Sequence, residues 1–226
     1  MVSRREKLGK GESGLKHMRQ SALQVIFMRQ KGLRAEIENN TLIISGAYYI
    51  YDSDTPYDSY EIWIGIQGTY PYVEPVVFET GGKIPKVVER HVFPKSERCC
   101  LGVWEEWLLK ETDNSVANFM NTILQSYFVS QNYFDQFGQW PFGERAHDKS
   151  AFVESFAEML GVPVVKESVL AYVSILCADW PKGHSACPCG SGKKLRNCHH
   201  EDLLELHKKV PKKIARQMRR RLLQPD

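Results

Sequence analysis

The sequence contains no apolar run approaching the roughly 20 residues that a membrane-spanning helix needs. Its basic N-terminus, Met1 to Lys10, lacks the apolar core of a signal peptide. These two absences favour a cytosolic protein with no membrane partner. A phosphate-binding loop is also missing. Gly190-Ser191-Gly192-Lys193 has too short a glycine spacing for a Walker A motif and no buried strand ahead of it. The stretch from Lys208 to Arg221 has neither an acidic nor an aromatic residue. Without aromatics it offers no platform for base stacking, which argues against nucleic acid as its partner.

What is present suits a soluble globular protein. The chain of 226 residues, 42% hydrophobic and 25% charged, has room for one domain and a small appendage. The net charge of +3 is unevenly spread: Lys208 to Arg221 holds eight basic residues, so the rest of the chain is net negative. Six cysteines in a reducing compartment point to metal binding or catalysis before disulfides.

Two of these cysteines, Cys99 and Cys100, are adjacent in the stretch from His91 to Trp107. On an extended backbone, neighbouring side chains point to opposite faces. If Leu101 and Val103 face a core, Cys99 lies inside with them and Cys100 lies outside. Taken alone, such a pair reads as two small packing residues. Upstream, Tyr60 to Ile66 alternates, Thr69-Tyr70-Pro71 forms a turn, and Glu74-Pro75-Val76-Val77-Phe78 is a Pro-led strand. His91-Val92-Phe93-Pro94 then precedes the cysteines, and Trp107 follows them.

In that order, over roughly residues 15 to 145, the sequence resembles the ubiquitin-conjugating enzyme family. The variant pattern looks most like the standalone conjugating-enzyme-like proteins of bacterial CBASS-type antiviral operons. The resemblance implies an α+β, UBC-like fold: an antiparallel meander sheet with flanking helices. It also implies Cys100 as the nucleophile, because the family's cysteine precedes a leucine, with His91 as a second catalytic candidate. Cys100 would carry an acyl group as a thioester and pass it to an amine of a protein target. The implied donor is the C-terminus of a cGAS-like nucleotidyltransferase or a ubiquitin-like protein, loaded by a separate activating enzyme. One departure stands out. The asparagine that follows His-Pro in the family is absent, since Val92-Phe93 follows His91. By nearness in sequence, His91, Ser96 and Arg98 are candidates to stabilise the oxyanion, and Glu144 or His147 is a further neighbour for Cys100.

Along the chain, Leu15 to Gln30 has apolar residues at helical spacing, and Gly32 is a candidate C-cap. Thr41 to Tyr51, residues 60–67 and residues 75–79 read as strands, with Asp52 to Asp58 as a turn. The connections are too short for crossover helices, so the strands form an antiparallel meander. Residues 80–98 form a long irregular loop. Asn114 to Gln125 reads as the central helix, capped by Asn114, with Ala117, Met120, Ile123, Leu124 and Phe128 as core. Tyr127 to Phe142 is aromatic-rich and reads as a packed corner. The composition shifts after residue 150, and a boundary near Gly161 divides a 1–160 domain from a 161–226 helical region.

In that second region, Cys187-Pro188-Cys189, eight further residues and Cys198-His199 bracket a Gly-rich turn. Three thiols and an imidazole suit tetrahedral zinc, and the glycines let the chain turn tightly around an ion. His200 is an alternative fourth ligand. The segment also resembles the SEC-C zinc motif. Four protein ligands leave no open position, so the role is structural or a docking one. Beyond it, Leu203, Leu206, Val210, Ile214, Met218 and Leu222 keep a helical period, with a basic opposite face suited to solvent, to an acidic protein partner or, less readily without aromatics, to nucleic acid. Two other functions fit the same features: a non-catalytic UBC-like module that docks a partner through its groove and zinc motif, and a SEC-C ribosome or chaperone adaptor.

Overall fold

The computed structural model describes residues 24, 26–143, 150–179 and 182–224. Contacts divide the chain into two compact units. The first comprises Met1–Gly102 and Asp113–Glu144, the second Val103–Thr112 and Arg145–Asp226. The fold is of mixed α+β class, with a sheet in the first unit and helices in both. Among the described residues, no helix is long and apolar enough to cross a membrane.

The sheet consists of β1 (Leu33–Glu38), β2 (Thr41–Asp52), β3 (Thr55–Gln67) and β4 (Val76–Glu79), paired antiparallel in that order. The expected meander is therefore present, with an additional first strand. β1 joins β2 through Asn39-Asn40, both at positive φ, a conformation asparagine tolerates better than most residues. The turn after β2 is tighter than the expected Asp52 to Asp58. Pairing continues through Tyr51↔Pro56 to Asp52↔Thr55, past a register shift at Ile50/Tyr51. At the entry to β1, Gly46 sits at φ +120, where a Cβ would lie only 2.3 Å from the Gly32 carbonyl oxygen. A side chain there would collide with the backbone, so the crossing requires glycine.

One face of the sheet carries the core. Tyr60, Ile62, Ile64 and Ile66 recur at period two along β3 and are all buried, as are Leu42, Ile44, Tyr48 and Ile50 of β2. The covering helix runs from Val116–Phe119 (α2) through a π-helical Met120–Leu124 into Gln125–Phe137 (α3). Ser115, not Asn114, caps it, by accepting the Asn118 amide on its side chain. Phe119, Met120, Leu124 and Phe128 are buried, with Phe128 stacked on Tyr60 at 4.6 Å and tilted against Tyr48 at 5.6 Å. The Tyr48 hydroxyl donates to the Met120 carbonyl at 2.6 Å, at the start of the π-helical stretch. Such a bulge shifts carbonyls off the regular ladder and so leaves acceptors for side chains. Of the helix expected over Leu15–Gln30, residues 26–29 are helical, while residues 1–23 and 25 lie outside the described residues. Gln30 ends that turn buried, and its side-chain amide pairs with both backbone groups of Tyr49, at 2.9 and 2.8 Å.

The second unit is helical. It contains α1 (Trp104–Lys110), α4 (Ser150–Leu160), α5 (Lys166–Leu176), α6 (His200–Lys209) and α7 (Lys212–Leu223). The boundary expected near Gly161 falls inside this unit, because Gly161, at φ +66, is the turn after α4, and α4 packs on α5 and α7. Phe156, Ala157 and Leu160 make that face, with Val169, Val173 and Leu176 of α5 and Ile214, Met218 and Leu222 of α7 also buried. The acids of α1 find partners within the unit, although Oε2 of the buried Glu105 has no hydrogen-bond partner among the described residues. Ser155 donates to Glu106 at 2.9 Å, and Arg221 pairs with the fully buried Glu105 at 3.2 Å.

Phe128 joins helix to sheet, so Phe128→Ala is expected to destabilise the first unit by about 3–5 kcal/mol. Urea unfolding followed by tyrosine fluorescence measures this, and the zinc content of the second unit should stay unchanged.

Candidate functional site

The Cys/His cluster is built from a short hairpin and the start of a helix. Ala186 bridges Lys194, and the Cys187 amide donates to the Lys193 carbonyl at 2.9 Å. Gly190 and Gly192 make the tip at φ +76 and +72, which side-chain-bearing residues adopt only under strain. A 3₁₀ turn, Leu195–Asn197, then returns the chain, anchored by the fully buried Leu195. Its end places Cys198 and His199 back against the first two cysteines, and His199 is the N-cap residue of α6.

The four ligand atoms all lie within 4.8 Å of one another. His199 Nδ1 is 3.3 Å from Cys187 Sγ and 3.2 Å from Cys198 Sγ, and Cys189 Sγ is 3.5 Å from Cys198 Sγ. A tetrahedron with Zn–S of about 2.3 Å and Zn–N of about 2.0 Å has edges of about 3.4–3.8 Å. The spacing therefore fits zinc, and Cys187, Cys189, Cys198 and His199 form a zinc-binding site. His200, the alternative ligand, is not in the cluster and begins α6 instead. The Ser191 hydroxyl and amide, with help from the neighbouring thiols, draw Cys189 down to about 6, so a thiolate is available at neutral pH. Burial pushes Cys187 the other way. Tyr172 lies edge-on to the His199 ring at 6.4 Å, and burial and the three cysteines push its hydroxyl up to about 12.

The second cluster lies in the first unit, on the loop expected over residues 80–98. Glu79, buried at the end of β4, accepts the amides of Gly81, Gly82 and Ile84, which orders the start of this loop. At its far end, the Cys99 amide donates to the Val77 carbonyl of β4 at 2.8 Å, and Val92 bridges Cys99. The Cys100 amide donates to the His91 carbonyl at 2.7 Å. Burial then alternates as an extended backbone requires: Cys99, Leu101 and Val103 are buried, Cys100 partly exposed and Gly102 exposed.

A helix face fastens this loop. The Tyr127 hydroxyl donates to the His91 carbonyl at 3.1 Å, and one turn on, the Gln131 amide donates to the Arg90 carbonyl at 2.7 Å. Gln131 also accepts from Arg90 Nε at 3.0 Å, and Asp135 pairs with the same guanidinium at 2.6 Å. His91 itself is held at φ +50, with its ring edge-on to Trp140 at 4.6 Å, in the aromatic corner expected there. Burial pushes the Cys99 thiol up, partly offset by its hydrogen bond with Tyr127. Burial also pushes Tyr127 well above the phenol range, and both thiols add to that. Tyr127 is thus a neutral donor beside the two cysteines.

The other expected neighbours are placed differently. Ser96 and Arg98 are engaged inside the 93–98 turn: Ser96 donates its amide to the Phe93 carbonyl, and the Arg98 guanidinium lies over the Phe93 ring at 5.0 Å. Glu144 and His147 lie outside the described residues. Tyr127 and Gln131 escaped the sequence reading. Their i,i+4 spacing with Asp135 at i+8 is a polar stripe in an otherwise aromatic helix, the only trace a sequence could offer.

Comparison with known proteins supports one of the two clusters. Residues 185–201 match the SEC-C motif. No curated protein and no solved structure matches the chain.

The expected metal content is one zinc per chain. In a Cys187→Ser, Cys189→Ser double variant, elemental analysis should find the zinc lost while the sheet unit stays folded by circular dichroism. Thiol ligands must be deprotonated to bind, so acidification is expected to release zinc and raising the pH to restore it.

Proposed function

We propose that the sheet unit is a ubiquitin-conjugating-like acyltransferase with Cys100 as its nucleophile. The observation that carries this reading is the split between two adjacent cysteines, Cys99 buried at 2% exposure and Cys100 partly exposed, on a loop clamped at His91. A packing pair has no need of an exposed second thiol. The four-stranded meander, the Tyr70-Pro71 turn and the His91 loop ahead of the cysteines agree in order with the family that the sequence resembles.

In this reading, the Cys100 thiolate attacks an activated acyl donor, displacing its leaving group, and forms a thioester. An amine of the target then attacks the carbonyl, and collapse of the tetrahedral intermediate returns the thiolate. With an unperturbed pKa near 10.4, only about one lysine in a few thousand is neutral at pH 7, so this step is the demanding one. The loop's role is to hold Cys100 in place. His91 and Tyr127 do so through one carbonyl, where the family's asparagine is absent. The donor would be the C-terminus of a cGAS-like nucleotidyltransferase or a ubiquitin-like protein, activated by a separate enzyme, in CBASS-type antiviral defence in the bacterial cytoplasm. The SEC-C site favours a second reading, in which the chain is a non-catalytic module that docks a protein partner.

Co-expression with the neighbouring genes tests the reading. Cys100→Ser should accumulate an adduct that resists reducing agent, because an oxyester is more stable than a thioester. Wild type should give a reducible adduct and Cys100→Ala none, while Cys99→Ala should still form one. If neither cysteine matters to any adduct, the docking reading replaces the enzyme. Tyr127→Phe removes one hydrogen bond, worth about 0.5–1.5 kcal/mol, so single-turnover transfer should slow by about 2- to 10-fold with the fold intact.

A further inference from the structure

The second unit holds an open cleft of about 570 Å³ lined by Cys177, Arg216, Arg219, Arg220, Leu223 and Gln224. Its position follows from the pattern of α7. Ile214, Ala215, Met218 and Leu222 are buried, so Arg216, Arg219 and Arg220, spaced i, i+3 and i+4, share the opposite, exposed face. Cys177, the C-cap residue of α5, supplies the facing wall. Arg219 and Arg216 both act electrostatically on its thiol, although burial outweighs them.

The charge of the cleft is unbalanced. Among the described residues the basic groups on either side are paired, Lys212 with Asp179 and Arg221 with Glu105. Arg216, Arg219 and Arg220 have no ion pair within the described residues, although Arg216 also interacts electrostatically with the exposed Asp179. Among the described residues, no acid lines the cleft. Three arginines on one helix face line this open cleft, and their like charges favour an anion between them. A single carboxylate offers one negative charge against three positive ones. A pyrophosphate offers about three, with oxygens that match the planar forks of arginine. Among the described residues, the lining contains no aromatic ring on which a base would stack, so recognition runs through the phosphates.

We infer that this cleft binds a small polyphosphate, a pyrophosphate-bearing ligand gripped by Arg216, Arg219 and Arg220. The site shares no residue with the zinc cluster or with the Cys100 loop, and its existence does not depend on the acyltransferase reading.

Cys177 in the wall provides the readout. Inorganic pyrophosphate is added to the zinc-loaded full chain, and alkylation of Cys177 by iodoacetamide is followed by peptide mass spectrometry, with zinc content checked alongside. Pyrophosphate should slow the alkylation, and sodium acetate at the same ionic strength should not. Arg219→Lys keeps the charge but loses the fork, and should weaken protection about tenfold. An Arg216→Ser, Arg219→Ser double variant, with its helix content verified by circular dichroism, should lose protection altogether. Equal protection by acetate, or no protection by pyrophosphate, overturns the inference. So does protection by a single-stranded oligonucleotide at phosphate concentrations where pyrophosphate has no effect, which would make the cleft a nucleic-acid surface instead.

Discussion

The carbonyl oxygen of His91 receives two hydrogen bonds, one from the Cys100 amide and one from the Tyr127 hydroxyl. The first ties the two ends of an eight-residue loop together, and the second ties that loop to the helix covering the sheet. With the Cys99 amide also bonded to β4, the backbone at residues 99 and 100 is held from both sides. An extended backbone so fixed must place one cysteine in the core and the other toward solvent. The partial exposure of Cys100 is thus a consequence of the clamp.

The zinc site obeys a different logic. A hairpin of about a dozen residues cannot bury enough apolar surface to hold itself, and here a single leucine, Leu195, is its fully buried apolar anchor. The metal supplies the cross-link that a larger core would otherwise provide. The SEC-C match and the cluster geometry agree on these residues, whereas the acyltransferase reading of the sheet unit rests on the order of its elements and the state of Cys100.

Much of this arrangement was legible in the sequence, and the gaps have physical causes. The alternation around Cys99 and Cys100, the meander and the zinc ligand spacing are local patterns, and local patterns survive folding. β1 was missed because its inward positions pass through Ala35 between Leu33 and Ile37, too weak an apolar signal beside two glutamates. Asn114 and Ser115 are both good caps, and only the backbone geometry decides between them. Asp113 helps that decision by accepting the Ser115 amide and hydroxyl. The boundary read near Gly161 lies within the second compact unit, because a glycine turn between helices reads the same within a unit as between units. Tyr127 was invisible for the opposite reason: its partner lies 36 residues away, and no spacing rule reaches that far.

The most direct test of the clamp and its consequence is differential thiol labelling of the native chain, with each cysteine followed by peptide mass spectrometry. Cys100 should react at a rate typical of an accessible thiol, while Cys99 should react only when the first unit unfolds. Labelling of Cys99 in the native state at a rate equal to or above that of Cys100 would contradict both the register of the loop and the role assigned to Cys100.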